Sequence, residues 1–409
     1  MRKTTAHSRS FVAVRHGSDP YANALGALEA LTLPSFKGRK VLLKPNAGRR
    51  VPPGTGITTH PEVVAAACDF FVKRGAEVTV GESTIVGVKP LDCLESTGIA
   101  AVVRARGLPL LDLDLRPARK TVVAGSVLSH LLVCGAVADF DTIVSIPVMK
   151  THMHCQVSLS LKNMKGCLRG REKVRLHQLP TPAEGATEKT LDLAVADLAL
   201  VLRPQIALID GTVGMEGLGP SAGGQRHANL AVASTDFLAA DAVAAALMGF
   251  DPDEIPHLRL SAARGLGSIA LDTLDIDPPG WRSWIQPFER PPTKLSVEFK
   301  QVNVLDKDSC SACLSTLLLF LKRHYEELGD YLPLTIAVGK GHDRIPDNAL
   351  CIGNCTVRAA VGNGQIVVRG CPPVASDVFQ TLRSGGSAPP RRSRSTRRTR
   401  SPGGKGVSS

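Results

Sequence analysis

The chain has 409 residues, 43% hydrophobic and 21% charged, enough apolar material for a large core and for two or three domains of roughly 100–200 residues each. Its formal net charge of +12 sits at the ends: eight Lys/Arg and no acid lie from Arg383 onward, and Arg2, Lys3 and Arg9 precede residue 11. The near-neutral body between them holds only three tyrosines and two tryptophans, which argues against a protein built chiefly to grip or stack nucleic acid.

The basic start is followed by an apolar stretch too short for a secretory signal, and no apolar run reaches the ~18 residues needed to cross a bilayer. A cytoplasmic protein without a transmembrane segment is expected. Residues 11–16 (FVAVRH) and 39–44 (RKVLLK) read as short strands. Pro61 opens a helical run, PEVVAAACDFFVKRG, with Thr59 placed to cap it, and AEVTVGES then reads as another strand. A further helix is expected through Leu94 and Ile99, a strand at 140–147, a helix at 191–202 and a strand at 205–210. DFLAADAVAAALMG is the clearest helix after Asp236. Alternation of this kind predicts an α/β fold: a mostly parallel sheet covered by helices, with functional residues beyond the carboxyl ends of its strands.

Three polar stretches fall at those ends. The first, after strand 39–44, carries Lys44 and Asn46. The second, THMHCQVSLSLKNMKG, follows Lys150 and contains His152, His154, Lys162, Asn163, Lys165 and Gly166. Lysines suit a phosphate or carboxylate, asparagine donates and accepts, and glycine permits close approach. His152 and His154 would share a face of an extended segment, but a third metal ligand is missing nearby. The third stretch, DGTVGMEGLGPSAGG, adds Asp210 and Glu216, which could orient a lysine or accept a proton. It lacks the setting of a dinucleotide fingerprint. Together these stretches predict an anion-binding cleft, with Lys44, Asn46, Asn163 and Lys165 as anion-binding candidates. Lys150, His152, Lys162, Asp210 and Glu216 are the catalytic candidates.

Five of the ten cysteines fall in 62 residues, as Cys310-Ser-Ala-Cys313, Cys351-Ile-Gly-Asn-Cys355 and Gly370-Cys371-Pro372. Thiolates converging from separate segments are what a [4Fe–4S] cluster requires, or tetrahedral zinc as the alternative. Cys310, Cys313 and Cys371 are three expected ligands. The fourth lies between Cys351, in an apolar stretch, and Cys355, after a Gly-Asn turn; Cys355 is preferred.

The runs Pro147–His152 and Leu161–Gly166, the pairs Asp210-Gly211 and Gly219-Pro220, and Met215-Glu216-Gly217 together resemble the family called domain of unknown function 362, over roughly residues 10–380. Ile352-Gly353-Asn354-Cys355 and Gly370-Cys371-Pro372-Pro373 resemble its subgroup with a C-terminal cysteine module. The resemblance implies an iron–sulfur protein but no particular reaction. This chain spreads its cysteines where a common form of the family has a closely spaced, ferredoxin-like run.

The expected organisation is an α/β body at 10–270, a Pro-rich linker or loop at 271–295, a cysteine-rich cluster module at 296–382 and a basic tail, expected to be disordered, at 383–409. The expected function is a redox enzyme or electron-transfer component with a redox partner protein and a small anionic substrate. A non-redox transferase, isomerase or lyase with a structural cluster or zinc is the alternative, and a carrier or scaffold the third. Nucleic-acid contact by the tail would be secondary.

Overall fold

The structure, a computed structural model, describes residues 9–180, 187–292 and 299–386. Of the basic tail expected to be disordered at 383–409, Arg383 instead ends a helix that begins at Ala375, and residues from 387 onward lie outside the described residues. In chain order the strands of the larger part are β1 (Phe11–His16), β2 (Lys40–Pro45), β3 (Glu77–Glu82), β4 (Leu110–Asp112), β5 (Arg119–Val122), β6 (His130–Val133) and β7 (Thr142–Ile146). They continue with β8 (Val148–His152), β9 (Gln156–Ser158), β10 (Ile206–Glu216), β11 (Gly224–Arg226), β12 (Leu230–Ser234) and β13 (Asp275–Asp277). The main sheet runs β13-β1-β12-β10-β7-β2-β3-β4, with β8, β9 and β11 joined to it through β10, while β5 and β6 pair separately. β12 runs antiparallel to both neighbours, and the path from β10 through β7, β2 and β3 to β4 is parallel.

Helices cover both faces. Between them in sequence lie α1 (Pro20–Glu29), α2 (Pro61–Lys73), α3 (Pro90–Ser96), α4 (Ile99–Arg104), α5 (Ser160–Asn163), α6 (Glu172–Arg175), α7 (Thr190–Leu198), α8 (Phe237–Leu247) and α9 (Pro256–Ala263). One apolar layer joins α1, α2 and α4 to the sheet through Leu28, Phe70, Phe71 and Val103; the other is dominated by α8, whose eleven residues are all buried. Strands sandwiched in this way need apolar residues on both faces, which is why RKVLLK and FDTIVSIP read as near-continuous apolar runs.

Three local features differ from the sequence expectation. The strand expected at 205–210 runs on to Glu216, because Val148–His152 forms β8 alongside it and supplies a parallel partner with a register shift between Asp210 and Met215. His60, not Thr59, caps α2: its side chain accepts from the Glu62 N–H, while the Thr59 hydroxyl donates to the Ile146 carbonyl. Within 271–292, β13 pairs with β1 and Trp281 is buried in the core, so this stretch packs against the body.

The C-terminal part is a smaller parallel sheet in the order β14 (Val302–Asp306), β15 (Leu334–Val338), β16 (Leu350–Ile352) and β17 (Ile366–Val368). Helices α10 (Ser311–His324) and α11 (Ala375–Arg383) pack on it through Leu317, Phe320, Leu321 and Val378. That apolar cluster also takes in Ala222 of the larger part, with Met153 and Leu218 packed against it. The protein is thus an α/β fold with a mostly parallel main sheet and a small C-terminal module bearing five cysteines. The module is seated against the larger part.

Candidate active site: a lysine-lined cavity beside four cysteines

The carboxyl ends of β2, β3 and β7 lie side by side, and β8 continues past β7. Polar residues at those ends therefore meet in one place. They line a cavity of about 220 Å³ whose charged and polar walls include Lys44, Asn46, Glu82, Lys150, Lys162 and Lys165.

Its floor is a buried ion pair. Lys44, at 0% exposure, bonds Glu82 at 2.8 Å, the Pro45 carbonyl at 2.8 Å and the Asn163 Oδ1 at 3.0 Å. Glu82 also accepts from the N–H groups of Ala47 and Ser83, each at 2.9 Å, so its two oxygens tie the end of β3 to the segment 44–47 at the end of β2. Asn163 returns its amide N–H groups to the Lys44 carbonyl at 3.0 Å and to Ser145 Oγ at 3.1 Å. Gly166 must be glycine for reasons of space: a Cβ there would come within 2.5 Å of both the Glu82 carboxylate and the Lys44 ammonium.

Above this floor, the Lys150 ammonium donates to Asn46 Oδ1 at 2.6 Å and to the Ile57 carbonyl at 2.8 Å. Burial first, then the neighbouring Lys162, Arg49 and Lys44 charges, holds it down to about 7. Lys165 contacts Nε2 of His177 and is likewise held down to about 7, chiefly by burial. Lys173 reaches Ser83 Oγ and the Thr84 carbonyl from α6. Lys162 is lowered by burial as well. Lys150 and Lys165, held near 7, exchange protons close to neutral pH, which suits acid–base chemistry on a bound anion.

Asp241 on α8 positions the segment that carries Lys162 and Asn163. Its carboxylate accepts from the N–H groups of Ser160 and Leu161 at 2.7 and 2.9 Å, fixing the start of α5. Burial pushes it up to about 7 against those bonds.

The sequence candidates divide by position. Lys44, Asn46, Lys150, His152, Lys162, Asn163 and Lys165 all line the cavity. His152 is buried, and its Nδ1 accepts from the His154 and Cys155 N–H groups, so it also closes the β8–β9 turn. Asp210 and Glu216 are not among the lining residues. Asp210 accepts from His60 N at 2.7 Å and Thr212 N at 2.9 Å, tying the start of α2 to β10. Glu216 pairs with Arg226 at 2.8 Å and accepts from Glu289 N. Glu82, Lys173 and Asp241 escaped sequence reasoning. Glu82 had a readable signal, since it is the last residue of β3, level with the end of β2.

The second cavity, about 20 Å³, is lined by Cys310, Cys313, Cys355 and Cys371 together with His177 and Gln178. Cys310 and Cys313 come from the start of α10, Cys355 from a short turn after β16, and Cys371 from the loop after β17. The last two loops are tied by Asn354 N to the Gly370 carbonyl and Gly370 N to Asn354 Oδ1, each 2.9 Å. Gly353, at φ +93°, passes so close that a Cβ would sit 3.0 Å from Cys313 Sγ. The Cys310 thiol is lowered, first by the hydrogen bond from Cys313 and further by the N–H groups of Cys313 and Ala312. Cys351, by contrast, is fully buried on β16 in an apolar cluster, and burial raises its thiol to about 11.

The two cavities adjoin. His177 lines both, Gln178 Nε2 lies 3.0 Å from Cys371 Sγ, and Ala312 and Ser315 of α10 form part of the lysine cavity's wall. Elsewhere, buried Cys155, Asp192 and His257 bring three ligand atoms within 4.8 Å of one another, a group that could hold a metal ion. Here His257 Nδ1 meets Asp192 at 3.2 Å.

With this geometry in place, comparison with known proteins gives one family match: the model described as "Domain of unknown function (DUF362)" matches residues 41–246. The thylakoid-associated protein sll1697 of Synechocystis sp. is 28% identical over 235 residues, 58% of this chain and 71% of that protein. Among solved structures, the lactate racemase apoprotein from Thermoanaerobacterium thermosaccharolyticum aligns over 56% of this chain and 54% of its own. That alignment has 11% identity and a TM-score of 0.37, a likeness too low to carry any argument.

Proposed function

The chain belongs to the DUF362 family, and on that premise we propose that it is an iron–sulfur protein, a redox enzyme or electron-transfer component acting on a small anionic substrate. Cys310, Cys313, Cys355 and Cys371 would hold a [4Fe–4S] cluster in the module at 296–382, and the body at 10–270 would bind the substrate. The observation that carries this reading is the convergence of those four cysteines on one cavity that shares His177 with the lysine cavity.

Such a cluster supplies electrons one at a time. The chain's own residues do the rest: the lysines bind and orient the anion, and Lys150 and Lys165 hold or release protons near pH 7. His177 and the start of α10 separate the two cavities. No helix among the described residues is long and apolar enough to cross a membrane, and a cytoplasmic setting with a redox partner protein belongs to the same proposal. Anaerobic purification is expected to give a brown protein with about four irons and four acid-labile sulfides per chain. A colourless product carrying zinc and no sulfide would overturn it.

A second reading has its own support. Amines poised near 7 in an enclosed anion site are also what a non-redox isomerase or lyase needs, and the metal would then be structural. Turnover that is indifferent to the cluster's oxidation state would select it.

A further inference from the structure

The lysines of the cavity are not equivalent. Lys44 is engaged by Glu82 and Asn163, Lys150 by Asn46 and Ile57, Lys165 by His177, and Lys173 by Ser83 and Thr84. Lys162 differs: among the described residues no hydrogen bond or ion pair reaches its ammonium, although it lies in the cavity wall. Ser221 lines the same cavity, and its buried hydroxyl has no hydrogen-bond partner among the described residues. Opposite charge is scarce there: among the described residues Glu82 is the one carboxylate in the wall, and Lys44 already neutralises it. Asp192, outside that wall, attracts Lys162 through space without a bond to its ammonium. A desolvated cation without a bonded counter-ion is costly, and an incoming anion relieves that cost.

We infer that Lys162 is the substrate-gripping cation of the cavity: it takes the oxyanion group, a carboxylate or phosphate, of the small substrate, between Ser221 and the first turn of α10. Ala312 and Ser315 place that turn against the same space, and the turn also bears Cys310 and Cys313. Half of the subsite therefore belongs to the module. Lys322 anchors the module to the Ser221 loop through the Ala222 and Gly223 carbonyls at 2.7 and 3.1 Å, and Lys340 reaches the Leu179 carbonyl at 2.7 Å. Loss of the metal from the cysteines frees one wall of the subsite, so oxyanion binding depends on metal loading. This inference rests on the anion-site reading of the cavity, but not on the metal being an iron–sulfur cluster.

The test is calorimetric titration of the anaerobically purified full chain with inorganic phosphate and, separately, with oxalate. The two probes distinguish a phosphate from a carboxylate site. Lys162→Met is expected to weaken the better probe at least tenfold, Lys162→Arg to restore most of the affinity, and chelation of the metal to weaken it severalfold. Iron and sulfide per chain, measured on every sample, report folding and metal loading independently. Binding by Lys162→Met as tight as by the natural chain, with metal content unchanged, would overturn the assignment and leave the cluster reading standing. Lys162-dependent binding in a protein free of iron and sulfide would do the reverse. Binding of neither probe overturns the inference, and affinity unaltered by chelation overturns the shared wall.

Discussion

The two cavities are neighbours built on opposite plans. The lysine cavity is fixed from below by a buried carboxylate and two asparagines, which bond side chains and backbone from several strand ends. The cysteine cavity has little of this: Cys355 is exposed and Cys371 half-buried, and their loops are held mainly by the Asn354–Gly370 bonds. One site is organised before any ligand arrives, whereas the other gathers sulfur donors with little bonding between them beyond the Cys310–Cys313 hydrogen bond, which the proposed metal centre would tie together. Preorganised charge makes a binding site selective. Loosely held thiols make a site whose order is linked to its metal.

The largest expected effect falls on the looser site. Serine at Cys310, Cys313 or Cys371 should abolish metal incorporation, and Cys355→Ser should lose much more metal than Cys351→Ser. Cys355 lines the cavity, while Cys351 lies in the apolar core of β16. Iron and sulfide assays on the five variants decide the matter, and a fully loaded Cys355→Ser chain would show that the ligand set is wrong.

Disturbing the rigid site should cost folding stability instead. Glu82→Gln leaves Lys44 as a buried cation and weakens the bonds to Ala47 and Ser83, a loss of about 3–5 kcal/mol for a broken buried pair. Urea unfolding would read it. Gly166→Ala should also destabilise, since its methyl would need the space of that same pair. An unchanged midpoint for both would mean that the pair does not organise the cavity.

A smaller, graded effect comes from pH. Lys150 and Lys165 lose their protons around 7, so oxyanion affinity should fall as pH rises from about 6 to 8. Stability should move the other way. In the unfolded chain these amines keep their protons up to about 10.5, so unfolding takes up protons between about 7 and 10.5. Their contribution therefore rises with pH over that window, and below 7 both states are charged and the penalty of burying the charge is complete. Phosphate titrations and thermal melts from pH 6 to 9 should show these opposite slopes.

The sequence revealed what depends on local pattern. Apolar runs marked β2, β7 and α8, and strand ends marked Lys44, Lys150, Lys162 and Lys165. It could not show that Asp210 and Glu216 would turn to backbone and arginine partners, because that depends on β8 folding back along β10 and extending the strand past Asp210. Asp241 was invisible for a related reason: it lies in a helix with no polar neighbour in sequence, and its partners are Ser160 and Leu161, about 80 residues away. Glu82 needed one further step, the alignment of β2 and β3, for its pairing with Lys44 to be expected. The four cysteines could be grouped from spacing and turn residues, but their nearness to the lysines required the seating of Ala222 in the module's core.

The smallest expected effect concerns the charged end. Residues from Arg391 onward contain seven Lys/Arg and no acid, whereas the rest of the chain past residue 10 is close to neutral. The described lining residues of both cavities lie between Lys44 and Cys371. Deleting it should therefore leave metal content, unfolding midpoint and phosphate affinity within error of the full chain. Any binding to RNA or DNA should weaken in the deletion and lose most of its salt dependence, because each phosphate contact made by a Lys or Arg releases a counterion and steepens the slope of affinity against salt. Filter binding at about 50 and 200 mM salt, with full-length and truncated chains compared, separates the two sources of charge. Steep salt dependence retained by the truncated chain would locate the nucleic-acid contact on the folded body, where Lys44, Lys150, Lys162, Lys165 and Lys173 gather in one cavity wall, and would turn that cavity from a small-molecule site into part of a polyanion-binding surface.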